Sequence, residues 1–317
     1  MGRTNDTAIP NTWHGISLDN GINYAEIGNG TATGRNIISG NGQLGVYIDQ
    51  PTDVTIKGNY FGTNVAGLAN RDNGWGSLFF RDGFNVVIGD STQLGRNVMA
   101  GTCDVYNEGL ITFHSMDSTR IFGNFIGVGA DGETPLYVKR GIYVEYSNSR
   151  VSIGGHRPME RNVIANAEED GIKLFRADSV IIQGNYIGVD STGTIARGNA
   201  ENGIFIADES SNTRIFENII ANNGQSAIRV SSAEADSNTF VENYIYDNSG
   251  PGIFIDAGSQ QNIAAPQLSY VDLSEILHGE AAPAAVINVY ADFGAQARYF
   301  VGTTTAAATG DWSLPLN

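Results

Sequence analysis

His114, Glu145, Arg176 and Asp208 follow one another at intervals of roughly thirty residues, with Lys173 just ahead of Arg176. These side chains can move protons or neutralise an anion. A polysaccharide lyase needs a base such as His, Lys or Arg and a cation to offset a uronate carboxylate. A hydrolase needs two carboxylates at a controlled separation. The five residues supply either set only if the fold stacks them, and a solvated mixed-charge face has the same composition. Asp19, Asp49, Arg81 and Asp256 extend the row, with an uncertainty of one position where loops lengthen. A neighbouring row reads Ser17, Tyr47, Phe79, Thr112, Tyr143, Lys173, Phe205, Arg229 and Phe254. Outward rings at Tyr47, Phe79, Tyr143, Phe205 and Phe254 can stack on the CH faces of sugars. Aromatic ladders also stabilise strand stacks without any ligand. Lys173, between Tyr143 and Phe205, is spaced for a cation–π contact.

Both rows exist only because a larger pattern repeats. Gly followed by apolar-x-apolar recurs as Gly15-Ile-Ser-Leu, Gly45-Val-Tyr-Ile, Gly141-Ile-Tyr-Val, Gly171-Ile-Lys-Leu, Gly203-Ile-Phe-Ile and Gly252-Ile-Phe-Ile. Divergent copies stand at Ser77-Leu-Phe-Phe, Leu110-Ile-Thr-Phe and Ala227-Ile-Arg-Val. A second short strand follows, as in Val180-Ile-Ile-Gln-Gly-Asn, and then a third, as in Tyr186-Ile-Gly. Strands this short cannot bury their alternating apolar faces alone; stacking them once per turn buries each against its equivalents above and below. Asn59, Asn124, Asn185, Asn218 and Asn243 fall at the bend between second and third strands, with Asn36, Asn97 and Asn162 in Arg-Asn-Val-Ile type coils. Stacked amides predict a hydrogen-bonded ladder there. The reading is all-β: a right-handed parallel β-helix solenoid of about nine coils over residues 15–262, after an N-terminal cap at 1–14.

Arg161-Asn-Val-Ile, Asp170-Gly-Ile and Gly184-Asn-Tyr-Ile-Gly resemble repeats of large exported bacterial proteins. More broadly they resemble the pectate-lyase-like parallel β-helix superfamily. The resemblance implies an extracellular or cell-surface setting and a polysaccharide or surface glycan as partner. The chain departs from the enzymes of that superfamily. The Asn-Thr-Asp, Asp-Asp, Gly-His-Gly and Arg-Ile-Lys blocks of polygalacturonases are missing, and the Asp and Arg signatures of calcium-dependent pectate lyases are not recognisable.

Composition agrees with a turn-rich solenoid, with 40 Gly, 8 Pro and no Gly-X-Y period. A net charge of −16 argues against nucleic acid and anionic lipid surfaces. The single cysteine, Cys103, excludes an internal disulfide. No apolar run reaches the roughly 18 residues of a membrane span. Residues 1–6 lack the apolar segment of a signal peptide, so the expectation is a cytosolic chain or a piece of an exported one. Gly62–Gly67, Gly127–Gly132 and Gly188–Gly193 share one loop plan. Asp131 and Asp190 in two of these loops are the only calcium candidates; a turn-stabilising role explains them more simply. No other cofactor is expected.

Near residue 257 the repeat ends in a linker. Alternating strands at 267–271, 286–291, 298–302 and 312–316 resemble a partial bacterial immunoglobulin-like β-sandwich over 263–317. An unfinished sandwich leaves an edge for a cap or for strand addition into fibres. The functional expectation is a secreted or surface structural or adhesion module that binds glycan through the aromatic row or assembles through its C-terminal strands. The alternative is a polysaccharide lyase, epimerase or hydrolase on the same face.

Overall fold

The computed structural model describes residues 10–102, 109–146, 150–259, 266–291 and 298–316. Cys103, residues 1–9, the linker core at 260–265 and Asn317 lie outside these. The chain winds through three parallel sheets, of nine, eight and eight strands among the described residues. The first sheet runs from Ile16–Leu18 to Ile253–Ile255, and each strand pairs with its equivalent one coil away. This is a right-handed parallel β-helix, the hand expected of parallel crossovers. Its interior is mainly aliphatic. Val46 and Ile48, Leu78 and Phe80, Ile142 and Val144, and Ile204 and Ile206 all point inward and are completely buried. Phe80 and Phe113 stack at 5.3 Å inside it.

The expected Asn ladder is continuous. Asn36, Asn59, Asn97, Asn124, Asn162, Asn185, Asn218 and Asn243 each pass a side-chain hydrogen bond to the next. Both types of coil therefore feed a single ladder. A second ladder, missed in the sequence, occupies the corner before the first sheet: Asn11 to Asn41 to Asn73, and later Asn199 to Asn223 to Asn248. Its signal was an Asn a few residues ahead of the Gly that opens a first strand.

The true repeat is also longer than one coil. Arg35, Arg96 and Arg161 lie over the rings of Tyr60, Phe125 and Tyr186 in the following coil, at 4.2, 3.8 and 3.9 Å. Each Nε donates to the glycine carbonyl two residues before that ring, in Gly58, Gly123 and Gly184. The three Gly-rich loops fall in every second coil too. They stack directly, Ala130 N on Gly67 O and Ser191 N on Gly132 O. A two-coil unit thus repeats three times.

The C-terminal segment forms a three-stranded antiparallel sheet (Gln267–Val271, Ile276–Glu280, Asp311–Pro315) and a hairpin (Val286–Ala291, Tyr299–Thr305). Ile276–Glu280 was not expected, because His278 and Gly279 interrupt its alternation. Leu277, Ile287, Ala306 and Trp312 make its small core. It leans on the last coil: Glu242 N donates to Tyr290 Oη at 3.0 Å, and Arg298 covers Tyr246 at 4.7 Å.

Candidate functional site

The outward face of the first sheet carries the chemistry-bearing rows. Strand register aligns Ser17, Tyr47, Phe79, Thr112, Tyr143, Lys173, Phe205, Arg229 and Phe254 as one unbroken column. Its environment is not uniform. Tyr47 stacks between His14 (5.2 Å) and Phe79 (5.7 Å). Thr112 is buried, its hydroxyl donating to Gly109 O. Tyr143, expected as an open ring, is only 8% exposed. Its hydroxyl donates to Glu145, and burial beside that carboxylate pushes its pKa up. Beyond Tyr143, cations alternate with rings. Lys173 Nζ lies 5.8 Å from Tyr143 and 5.5 Å from Phe205, and the Arg229 guanidinium lies 5.4 Å from Phe205 and 5.8 Å from Phe254. The column opens at its C-terminal end into a depression of about 290 Å³, where Arg229 and Phe254 meet Asn202, Gln225 and Ser226.

The charged row needs a correction. Asp49, Arg81, His114 and Glu145 are in register, but Phe175 and Ala207 continue that line. Arg176 and Asp208 come one residue later. They share a turn with Gln50, Asp82, Ser115 and Tyr146, all left-handed with φ between 44 and 55°. The five candidates are thus not one array. Four of them divide into neighbouring pairs, a hydrogen bond between His114 Nδ1 and Glu145 at 2.9 Å and an ion pair of Arg176 with Asp208 at 3.7 Å, while Lys173 belongs to the aromatic column. Asp49–Arg81 and Arg229–Asp256 repeat the arrangement at 2.9 and 3.1 Å. Charges locked across adjacent coils tie those coils together, each worth at most about 1 kcal/mol at such exposed sites.

Beside the column lies a charged group that sequence reasoning passed over. Arg140 is almost wholly buried and pairs with Glu169, with Asp170 at 4.0 Å. Asp170 accepts from Asn202 Nδ2 at 3.0 Å; burial nonetheless holds its carboxyl above the usual range. Burial and the charges of Asp170 and Glu169 raise Glu201 as well. Burial, then Arg140, lowers the Lys173 ammonium. The legible signal was the position just before the opening glycine, which reads Arg140-Gly, Asp170-Gly and Asn202-Gly. The arrangement presents aromatic faces and hydrogen-bonding groups together, and it offers Lys173 as a group easier to deprotonate than an ordinary lysine.

Asp131 and Asp190 act as loop caps. Asp131 accepts from Glu133 N, Thr134 N and Thr134 Oγ1; Asp190 accepts from Thr192 Oγ1, Thr194 N and Ile195 N. Burial opposes their charge, and these hydrogen bonds, led by Thr134 and Thr192, outweigh it and lower both pKa values. No group of three His, Cys, Asp or Glu gathers to hold a metal among the described residues.

A family model described as "Right handed beta helix region" matches residues 136–265. The chain is 27% identical over 172 residues to uncharacterized protein YclG of Bacillus subtilis (strain 168); the match covers 52% of this chain and 28% of that protein's length. Among solved structures, the Streptococcus pneumoniae surface protein and adhesin PfbA aligns with a TM-score of 0.46 at 16% identity, over 66% of this chain and 57% of that one. The periplasmic alginate epimerase AlgG aligns at 0.43 and 15%, over 70% and 48%. The Azotobacter vinelandii mannuronan C-5 epimerase AlgE4 A-module aligns at 0.34 and 13%, over 71% and 63%. The chain spans less than two thirds of each. No helix among the described residues is long and apolar enough to cross a membrane.

Proposed function

We propose that this chain is the carbohydrate-binding β-helix of an exported or surface-displayed protein, holding glycan on the C-terminal half of its first-sheet face. One observation carries the reading: the Lys173–Phe205–Arg229–Phe254 column runs into an open depression rimmed by amides and a hydroxyl. Rings for sugar CH faces, a cation, and Asn, Gln and Ser groups for hydroxyls are the elements such recognition uses. Tyr47 and Phe79 belong to the same column but stack on each other, with His14 on the far face of Tyr47, so the binding role is given to Phe205 and Phe254. Replacing both with Ala removes retention by neutral glycans in affinity gels while leaving the melting curve in place; unaltered retention of the double variant by such a glycan sinks the proposal.

A second reading, proton abstraction from a uronate by a lyase or epimerase, is favoured by the lowered pKa of Lys173 beside Tyr143 and Arg140. It requires that uronate polymers incubated with the protein gain unsaturated ends or invert at the abstracted carbon, and that Lys173→Met stop this. The interlocked pairs around the column, His114–Glu145, Arg140–Glu169 and Arg176–Asp208, favour binding over turnover, since these groups are already engaged by one another.

A further inference from the structure

The second sheet carries a basic trough with no part in the first-sheet face. Its outward row runs Val87, Arg120, Ser152, Ile181, Arg214 and Thr239, one residue per coil. The adjoining row contains Ser118, Arg150, Ser179 and Asn212, all in left-handed turns at φ 51–56°. Arg120, Ser152, Ile181 and Arg214 of the first row and these four residues of the second line a depression of about 520 Å³. Arg120 and Arg214 stand at either end, three rungs or ~14 Å apart at the usual strand spacing. Ile181 and the Ser152 hydroxyl lie between them.

These arginines gather on a chain whose net charge is −16. Among the described residues, no carboxylate is within ion-pair reach of Arg120 or Arg214; each guanidinium lies over a neighbouring ring, Phe122 at 4.5 Å and Phe216 at 5.3 Å. Arg150 meets Asp117 at 3.5 Å. Asp117 and Asp178 on the rim are engaged by the trough's own donors, Ser118 Oγ on the first and Ser179 Oγ and Asn212 Nδ2 on the second. Coil stacking does not need unpaired cations at those two positions, where Thr55, Val87, Ser152, Ile181 and Thr239 occupy the equivalent places.

We infer that this trough binds the carboxylates of an acidic polysaccharide lying along the helix axis. Arg120 and Arg214 take carboxylates in fork geometry, and Ile181 with the serine hydroxyls receives the sugar between them. A nucleic acid fits less well. Its dense phosphates meet the repulsion of the whole acidic molecule, and no aromatic side chain lines the trough to stack a base.

The test is affinity electrophoresis of the full chain through gels containing polygalacturonate, dextran sulfate, neutral dextran or single-stranded DNA. The expected result is retardation by polygalacturonate that weakens with salt and falls about tenfold in the Arg120→Gln/Arg214→Gln double variant. Ile181→Asp, which sets a carboxylate mid-trough, abolishes it. The first-sheet Phe205→Ala/Phe254→Ala variant keeps this arginine-dependent component, so failure of either site is read separately. Unchanged melting temperatures show that the exposed substitutions leave the fold intact. Polygalacturonate retardation that both trough variants leave unaltered overturns the inference. So does binding confined to DNA, to the sulfated polymer or to neutral dextran.

Discussion

At the scale of the residue, the side chains that matter most for stability are the ones with least to do with ligands. Asn124 is fully buried; its amide nitrogen donates to Ile88 O, Phe122 O and Asn162 Oδ1, and its Oδ1 accepts from Asn97. Asn124→Ala removes all four of these bonds, although Ile88 O keeps Phe122 N, Asn162 Oδ1 keeps the residue-124 N–H and Asn97 Nδ2 keeps Ile56 O. It should cost about 2–3 kcal/mol in urea unfolding, far more than a surface Asn. Asp190 makes a pH-dependent contribution. Its folded pKa lies below the ordinary 3.8 because of the Thr192, Thr194 and Ile195 hydrogen bonds. That stabilisation is therefore complete above the ordinary carboxylate range and is lost as pH falls through the lower folded value. The stability gap between wild type and Asp190→Ala should be constant near neutrality and shrink under strong acid, as read by pH-dependent urea midpoints.

At the scale of the element, coil geometry follows from sequence where one residue type has one use, and escapes it where several types share a conformation. The nine first strands and the Asn ladder were legible, because Gly-apolar-x-apolar and Gly-Asn each fit one place in the coil. The one-residue offset at Arg176 and Asp208 was not. The left-handed corner admits Gln50, Asp82, Ser115, Tyr146, Arg176 and Asp208 alike, so composition does not mark it. The Arg140–Glu169–Asp170 group escaped because charged residues in a loop look solvated, whereas here the stacked loops bury them. The two-coil unit was hidden because single-coil spacing dominates the pattern, while Arg35, Arg96 and Arg161 recur only in alternate coils. Glycine positions divide by what approaches them. Gly127 has φ +80° and an added Cβ would sit 1.7 Å from the Ala165 carbonyl oxygen; Gly258 has φ +94° but meets nothing nearer than 3.7 Å. Gly127→Ala should lower the melting temperature steeply, and Gly258→Ala should show only the left-handed strain of about 1–2 kcal/mol.

At the scale of the whole molecule, stacking makes every exposed row a property of several coils at once. A ligand on the first sheet therefore touches residues about thirty positions apart in sequence, and each contact depends on the ladders that hold the rungs in register. The same architecture displays two faces of different character. The first-sheet face alternates rings with cations already flanked by acids, and the second-sheet trough offers Arg120 and Arg214, which have no acid partner among the described residues. The small C-terminal sheets lean on the last coil through Tyr290 and Arg298, next to the end of the helix where the first-sheet depression opens. The measurement that bears most directly on the account is a polysaccharide panel run in affinity gels, with the same mixtures assayed for unsaturated and reducing ends. First-sheet binding predicts that at least one neutral glycan retards the wild-type chain, that Phe205→Ala/Phe254→Ala reduces this about tenfold, and that no ends are released from any polymer. Equal retardation of wild type and variant, or ends released in a Lys173-dependent manner, would contradict it.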